Sequence, residues 1–529
     1  MSRFNQFVSG GIFLLGMQVV MIQAAEPAVQ DAQASGLQAS VAQDRLILGS
    51  PFADHAVLQR DMPLPVWGWS KPGSRVTVEF AGQKQQTTAG KDGTPPSPQG
   101  YGMARWMVKL DPLKASDQPS EMVITEVRSQ KSEVGGPETE KRVVLKNILV
   151  GEVWVCSGQS NMDWPVKSLQ GRYQKEITTA NDSGLRLGRV KPLYAARPLD
   201  HTEVSWQPCT SAQALEFSAV ALFFGRKLRE ELKVPVGVLQ SARGGSPVEA
   251  WMSEETLRRE FPEFNAQLDP FAKVVKETGG VFESREKSKV HGIIQRTPTV
   301  FYNTQIRPLI PFGIRGVIWY QGESNVGRAE QYARLFPAMI RQWRSEWGQG
   351  DFPFYFVQLA PWGDKENAGA FLREAQVKSL AVPNTGMAVI MDLGDAGNIH
   401  PLEKKPVGER LASLALAKQY GRNDLVYSGP VYTKYSIEGS SIRLYFDHPG
   451  GGLAARDGKA LTHFAIAGDD KKFIEATALI EGDTIVVSSP AVSKPVAVRF
   501  AFGSADIPNL MNKAGLPASS FRTDNWHGN

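Results

Sequence analysis

The feature that most constrains this chain is a change of pattern near residue 148. Before it, apolar residues come in short β-type runs: Leu64 to Trp69 is apolar, Val76, Val78 and Phe80 alternate, and Trp106 to Leu110 and Met122 to Val127 follow, with turn signals at Pro72-Gly73 and Asp92-Gly93. Short strands in regular series predict an N-terminal β-sandwich over 46–147. From Ile148 to Val155 the chain reads as a buried strand, and beyond it strands alternate with helices. Val236–Gln240, Gly316–Tyr320, Phe354–Leu359 and Met387–Met391 have strand character, whereas Phe217–Leu232, Glu330–Trp347, Ala370–Ala381 and Lys405–Tyr420 have helical character. That alternation predicts an α/β domain over 148–424, built as a mostly parallel sheet wrapped on both faces. After Asp424 strand patterning returns, with Ile442, Leu444 and Phe446 alternating and β-branched runs at Thr484–Val487 and Val496–Phe500, which predicts a sandwich-like β-domain over 425–529.

Composition removes several classes of function. Fifty-nine Lys and Arg against 54 Asp and Glu leave a net charge of +5 with no basic block, so no nucleic-acid partner is expected. Two cysteines exclude a disulfide-dense scaffold and a multi-cysteine zinc module. At the N-terminus, Arg3 precedes an apolar, glycine-interrupted stretch from Phe7 to Ile22, followed by Ala24-Ala25. This reads as a signal peptide over 1–25, then a leader over 26–45, and predicts an exported, periplasmic or secreted protein with no stable membrane anchor. In such a compartment Cys156 and Cys209 are candidates for a disulfide, worth about 4 kcal/mol in the chain-entropy model.

In an α/β fold ligands gather at the carboxyl ends of the strands, so the residues just after each strand carry the most information. Ser160 follows the first buried strand in a small-residue turn. Gly244-Gly245, preceded by Arg243, follows the second; Gln321, Glu323 and Asn325 follow the third; Asp392, Asp395 and His400 follow the fourth. A lone serine after a strand is more often a helix N-cap than a nucleophile. A serine, a glycine turn, a carboxamide and a histidine at successive strand ends instead match a nucleophile, oxyanion donors and a general base. Arg243 suits either a substrate carboxylate or phosphate or a surface ion pair, and Glu323 either a substrate hydrogen bond or a buried structural pair. Trp154, Trp164 and Trp319 fit either a sugar-stacking face or the core, and Asn303 lies in a further block preceded by His291, a candidate for the cleft lining.

The blocks Gly151 to Met162, Gly316 to Asn325 and Asn398 to Pro401 resemble those of the SGNH (GDSL-type) hydrolases, and among them the sialate O-acetylesterases. The likeness extends to Asp54–Arg60, Val66–Trp69 and Leu516–Asp524, and so spans nearly the whole mature chain. It implies a three-layer α/β/α core between β-sandwich domains and an esterase that removes acetyl groups from sialic acids; relatives with the same core deacetylate xylan and other glycans. By position, the resemblance makes Ser160 the nucleophile and His400 the base, with the oxyanion hole drawn from the Ser160 N–H, Gly244 or Gly245, and Gln321 or Asn325. Asn161, Arg243, Glu323, Trp319 and Asn303 are the candidates for contact with the acetylated carbohydrate, and the resemblance implies no metal or organic cofactor. Two positions depart from the pattern. Where many SGNH hydrolases carry an aspartate three residues before the histidine, this chain has Gly397, so Asp395 is the first candidate for the third triad member, ahead of Asp392 or a backbone carbonyl. Arg243 stands where relatives often have tryptophan. An acetylxylan or other plant-glycan esterase shares every catalytic part, and a catalytically silent carbohydrate-binding protein is the reading from another class.

Overall fold

The computed structural model describes residues 46–90, 102–128, 139–363 and 367–526; the signal peptide and leader expected over 1–45 lie outside the described residues. Near the N-terminus, Leu64–Ser70 pairs antiparallel with Ile47–Leu48 and with Ala104–Leu110. A second layer places Arg75–Phe80 between Gln83–Thr88 and Ser116–Arg128. The alternating residues of both layers, including Trp67, Trp106, Val76, Val78, Met122 and Ile124, share one core. Period-two patterning is what allows each strand to bury one face only.

The central α/β unit hangs on strand β1 (Thr139–Gly158). Apart from the buried Leu145, its first half is exposed or half-buried and pairs antiparallel with Ser116–Arg128; from Ile148 every residue is buried, and the second half is flanked by parallel neighbours. The sequence changes at the same place, from Lys- and Arg-containing alternation to an unbroken apolar run, because a strand covered on both faces has no solvent side to pattern. The other strands are β2 (Asp182–Val190), β3 (Val204–Cys209), β4 (Val236–Ala242), β5 (Gly316–Tyr320), β6 (Phe354–Val357) and β7 (Thr385–Ala388). Their order is β3-β2-β4-β1-β5-β6-β7, with β3 antiparallel at one edge and the rest of this path parallel. Because β1 also carries the N-terminal strands, the whole is a single 11-stranded mixed sheet rather than a separate parallel one.

Alternate residues of β1 and β5 point to opposite sides. Trp154, Cys156 and Ile318 pack with helices α1 (Ala219–Leu232) and α4 (Lys404–Lys418), while Val153, Val155, Val317 and Trp319 pack with α2 (Ala329–Trp347). Helix α3 (Ala368–Lys378) lies beside α2, and Leu372 and Ala375 join the same core. Helices therefore cover both faces of the sheet.

The C-terminal region is all β. Val431–Glu438, Ser441–Asp447, Thr484–Ser488 and Thr477–Glu481 form one antiparallel sheet, and Ile474–Glu475, Phe464–Ala467, Ala497–Phe500 and Phe521–Arg522 form another. It is tied to α3 through the buried Arg373, which donates to Ser520 Oγ and to the carbonyls of Ala501, Gly503 and Ser504.

The disulfide expected between Cys156 and Cys209 is not formed: both thiols are buried and free. Cys156 lies on β1 and Cys209 ends β3, with β4 and β2 between them. At about 4.8 Å per strand the two backbones are roughly 14 Å apart, twice the reach of a disulfide.

Candidate active site

Strand β1 ends at Gly158, whose φ of +136° and close approach to β5 exclude a side chain: a Cβ there would sit 2.2 Å from the Tyr320 carbonyl oxygen. The next residue, Gln159, donates its N–H to that same carbonyl. The chain then turns directly into the short helix Ser160–Asp163, so Ser160 occupies a first-turn position whose N–H has no intrahelical partner. From the far end of the sheet, the loop after β7 brings His400 back over this turn, with Nε2 2.8 Å from Ser160 Oγ.

Three contacts hold the histidine. Its own N–H donates to Asn398 Oδ1 at 2.9 Å, the Asn161 carboxamide donates to the preceding carbonyl of Ile399 at 3.0 Å, and the Trp164 indole stacks on the imidazole at 4.4 Å and 22°. Burial lowers the imidazole's pKa from its ordinary value, and the charge of Lys404 lowers it further. A neutral ring that accepts a proton is the form a general base needs.

Neither aspartate orients that ring. Asp395 Oδ1 accepts from the Gly397 N–H in a local turn, and Asp392 is bound by Arg410 through both carboxylate oxygens at 2.7 Å. Among the described residues no carboxylate lies within ion-pair or hydrogen-bond distance of His400, so the assignment of Asp395 as third triad member is corrected. A two-residue Asx turn uses up the carboxylate that the spacing seemed to offer.

The glycine pair lies beside Ser160. A Cβ on Gly244 would stand 3.5 Å from Ser160 Cβ, whereas Gly245, at φ +74°, faces Gln295. Arg243 is anchored by its N–H to the Gly158 carbonyl, and its guanidinium donates to Tyr194 Oη at 3.2 Å while lying over the Tyr194 ring. Asp163 faces it from the nucleophile helix; burial raises this carboxyl's pKa, while the Arg243 charge and a hydrogen bond from Gln240 oppose the rise.

The third strand end is built differently from the expectation. Gln321 donates to Asn325 Oδ1 at 2.6 Å and to the Ser246 carbonyl, and Asn325 donates to Glu249 and accepts from the Val248 N–H. Both side chains are completely buried, and both Gln321 N–H bonds are spent. Through these bonds they brace the glycine turn, and the structure does not bring either carboxamide into hydrogen-bond contact with Ser160. Trp319 is also fully buried, among Trp251, Phe336, Trp343 and Phe354. Asn303 is likewise internal, donating to the Ala195 carbonyl and Thr299 Oγ1. Asn161 is buried with both N–H bonds committed, to Glu323 Oε1 and Ile399 O. None of these three is placed to touch a sugar, and Glu323 is turned toward Asn161.

Two residues not singled out from the sequence, Gln159 and Lys404, complete the site together with Trp164. Gln159 is pinned through its Oε1 by the Ser324 N–H, which fixes the amide beside the nucleophile. Trp164 covers His400, and Lys404, at the start of α4, is buried and donates to Asn161 Oδ1. Adjacency to the serine and histidine was the available signal for Gln159 and Lys404; nothing in the sequence distinguishes Trp164 from a core tryptophan.

The family model described as carbohydrate esterase, sialic acid-specific acetylesterase, matches residues 150–417. The sialate O-acetylesterase of Mus musculus is 31% identical over 435 residues, covering 74% of this chain and 77% of its own length. That of Homo sapiens is 30% identical, covering 70% of each. In three dimensions the crystal structure of a carbohydrate acetylesterase from Xanthomonas citri matches with a TM-score of 0.77 and 38% identity, over 91% of this chain and all of that one. The chain thus belongs to the sialic acid-specific acetylesterase family of carbohydrate esterases and is a carboxylic ester hydrolase acting as a carbohydrate acetylesterase.

Proposed function

We propose that this enzyme removes O-acetyl groups from sialic acids, with Ser160 as nucleophile and His400 as general base. The observation that carries the chemistry is the 2.8 Å contact between His400 Nε2 and Ser160 Oγ at the carboxyl ends of parallel strands. As Oγ attacks the acetyl carbonyl, its proton passes to Nε2, and the developing oxyanion faces the free N–H of Ser160 beside the Gly244 turn. The imidazolium then protonates the departing sugar oxygen. In the second half, water gives its proton to His400 and attacks the acetyl-enzyme, which releases acetate and restores Oγ–H.

Arg243 supports the choice of sugar. It adjoins the glycine turn, and among the described residues no carboxylate lies within ion-pair distance of it. A guanidinium held by a tyrosine, with Asp163 facing it from beyond ion-pair distance, suits the carboxylate of a sialic acid. Arg243→Met is expected to raise KM for a 9-O-acetylated sialic acid at least tenfold, while changing hydrolysis of neutral 4-nitrophenyl acetate less than threefold. Equal losses on both esters would remove the carboxylate role.

The direct test is acetate release from 9-O-acetyl sialic acid and from acetylated xylan, with Ser160→Ala as the blank. Sialate-selective release that the variant loses supports the whole proposal. Release from xylan alone keeps the mechanism and replaces the sugar. Absence of release from either favours a carbohydrate-binding role.

A further inference from the structure

The nucleophile and the base come from segments 240 residues apart in the chain, and one buried side chain touches the segments of both. Asn161 directly follows Ser160, and its Nδ2 holds the carbonyl of Ile399, the residue before His400. Its remaining N–H goes to Glu323 Oε1, at the end of β5, and its Oδ1 accepts from Lys404 Nζ at the start of α4. The Lys404 ammonium also lies 5.2 Å over the Tyr320 ring. Four elements of the site therefore converge on a single carboxamide.

This cluster is a poor stabilising device. Burial brings the Lys404 amine down to about 7 and pushes the Glu323 carboxyl up, while Glu323 Oε2 is buried without a partner among the described residues. Buried ionisable groups with incomplete partners are generally less stable than an apolar core of the same volume. The neighbouring charges are occupied elsewhere: Lys405 pairs with Glu176, and Glu403 with Arg172 and Tyr173. Toward His400 itself, Asp395 and Asp392 are turned to Gly397 and Arg410. Lys404 and Glu323 are left as the ionisable pair behind the reacting groups.

We propose that Lys404, Asn161 and Glu323 form the positioning device of the Ser160–His400 pair, standing in for the carboxylate that orients the histidine of a triad. Lys404 and Glu323 clamp the Asn161 carboxamide from either side; Asn161 in turn fixes the spacing between the nucleophile turn and the histidine loop. Lys404 has a second effect, because its cation disfavours the imidazolium of His400. The inference rests on Ser160 and His400 being the reacting pair, and not on which sugar is hydrolysed.

The test uses the full chain and 4-nitrophenyl acetate, so that sugar specificity does not enter, with Ser160→Ala first establishing that the activity depends on the proposed nucleophile. Asn161→Ala cuts the hydrogen bonds and keeps the Lys404 charge. It is expected to lower kcat at least tenfold, with KM within twofold and the acidic limb of the kcat/KM profile unmoved. Lys404→Met removes the charge as well, so kcat falls and the acidic limb moves to higher pH. If Lys404→Met shows no cooperative melting, Asn161→Ala alone decides. A folded Asn161→Ala variant that keeps kcat within twofold, or that loses only KM, overturns the proposal; so does a Lys404→Met variant whose acidic limb stays where the wild type has it. Activity that survives Ser160→Ala overturns the reading of the reacting pair and the positioning device with it.

Discussion

Ser160 has an ordinary serine hydroxyl, and in the proposed mechanism the neutral His400 ring 2.8 Å away is what makes it usable as a nucleophile. Since burial and the Lys404 charge both lower the His400 pKa, the base stays unprotonated to lower pH than a solvated histidine. Activity is therefore expected to be lost on the acid side with a midpoint below imidazole's ordinary value of about 6.5, which a kcat/KM profile measures directly. A midpoint above that value would show that a carboxylate or water stabilises the imidazolium after all. The serine, the histidine and the Gly244 turn were legible because a nucleophile, a base and a close backbone approach each demand one residue type. The roles of Asp395, Gln321 and Asn325 were not, since a short polar side chain in the right stretch of sequence does not reveal which partner it chooses. Asp395 takes the nearest N–H, and Asn325 takes Glu249, 76 positions away.

At the scale of elements, the nucleophile turn depends on how closely β1 and β5 run at their ends. Gly158→Ala combines a positive φ with a contact far inside van der Waals distance of the Tyr320 carbonyl. It should destabilise the protein by about 2 kcal/mol or more, measured by urea unfolding, and should lower kcat as Ser160 shifts. Gly244→Ala has room, with its nearest neighbour at ordinary contact distance, so it should fold normally and lose activity because the methyl group fills the space beside Ser160 Cβ. The pair of variants separates a glycine required by the backbone from one required by the substrate. Element types followed from periodicity: the fully buried runs of β1, β4 and β5 and the amphipathic α2 lie where the pattern puts them. What periodicity missed was that β1 is 20 residues long and belongs to two layers, because an alternating strand and a buried strand joined without a turn look like two strands.

For the whole molecule, the C-terminal β-region is joined to the catalytic unit by polar contacts buried out of reach of water. Arg373 is central to them, and Arg373→Met should cost about 3 kcal/mol or more in thermal or urea unfolding, because it strands the Ser504, Ala501 and Gly503 carbonyls that the guanidinium now satisfies. Thiol titration of the protein unfolded without reductant should count both Cys156 and Cys209 as free, in keeping with the strands that separate them. By itself the sequence determined the element types, the change from β to α/β and back, and the serine and histidine that meet at the strand ends, since each follows from local periodicity or from the chemistry of one residue type. Only the tertiary structure decided the strand order, the free thiols, the absence of a carboxylate beside His400 among the described residues, and the convergence of Lys404, Asn161 and Glu323. Those depend on which distant side chains meet in a buried space, and hydrogen bonding there is settled by proximity across the sheet rather than by position along the chain.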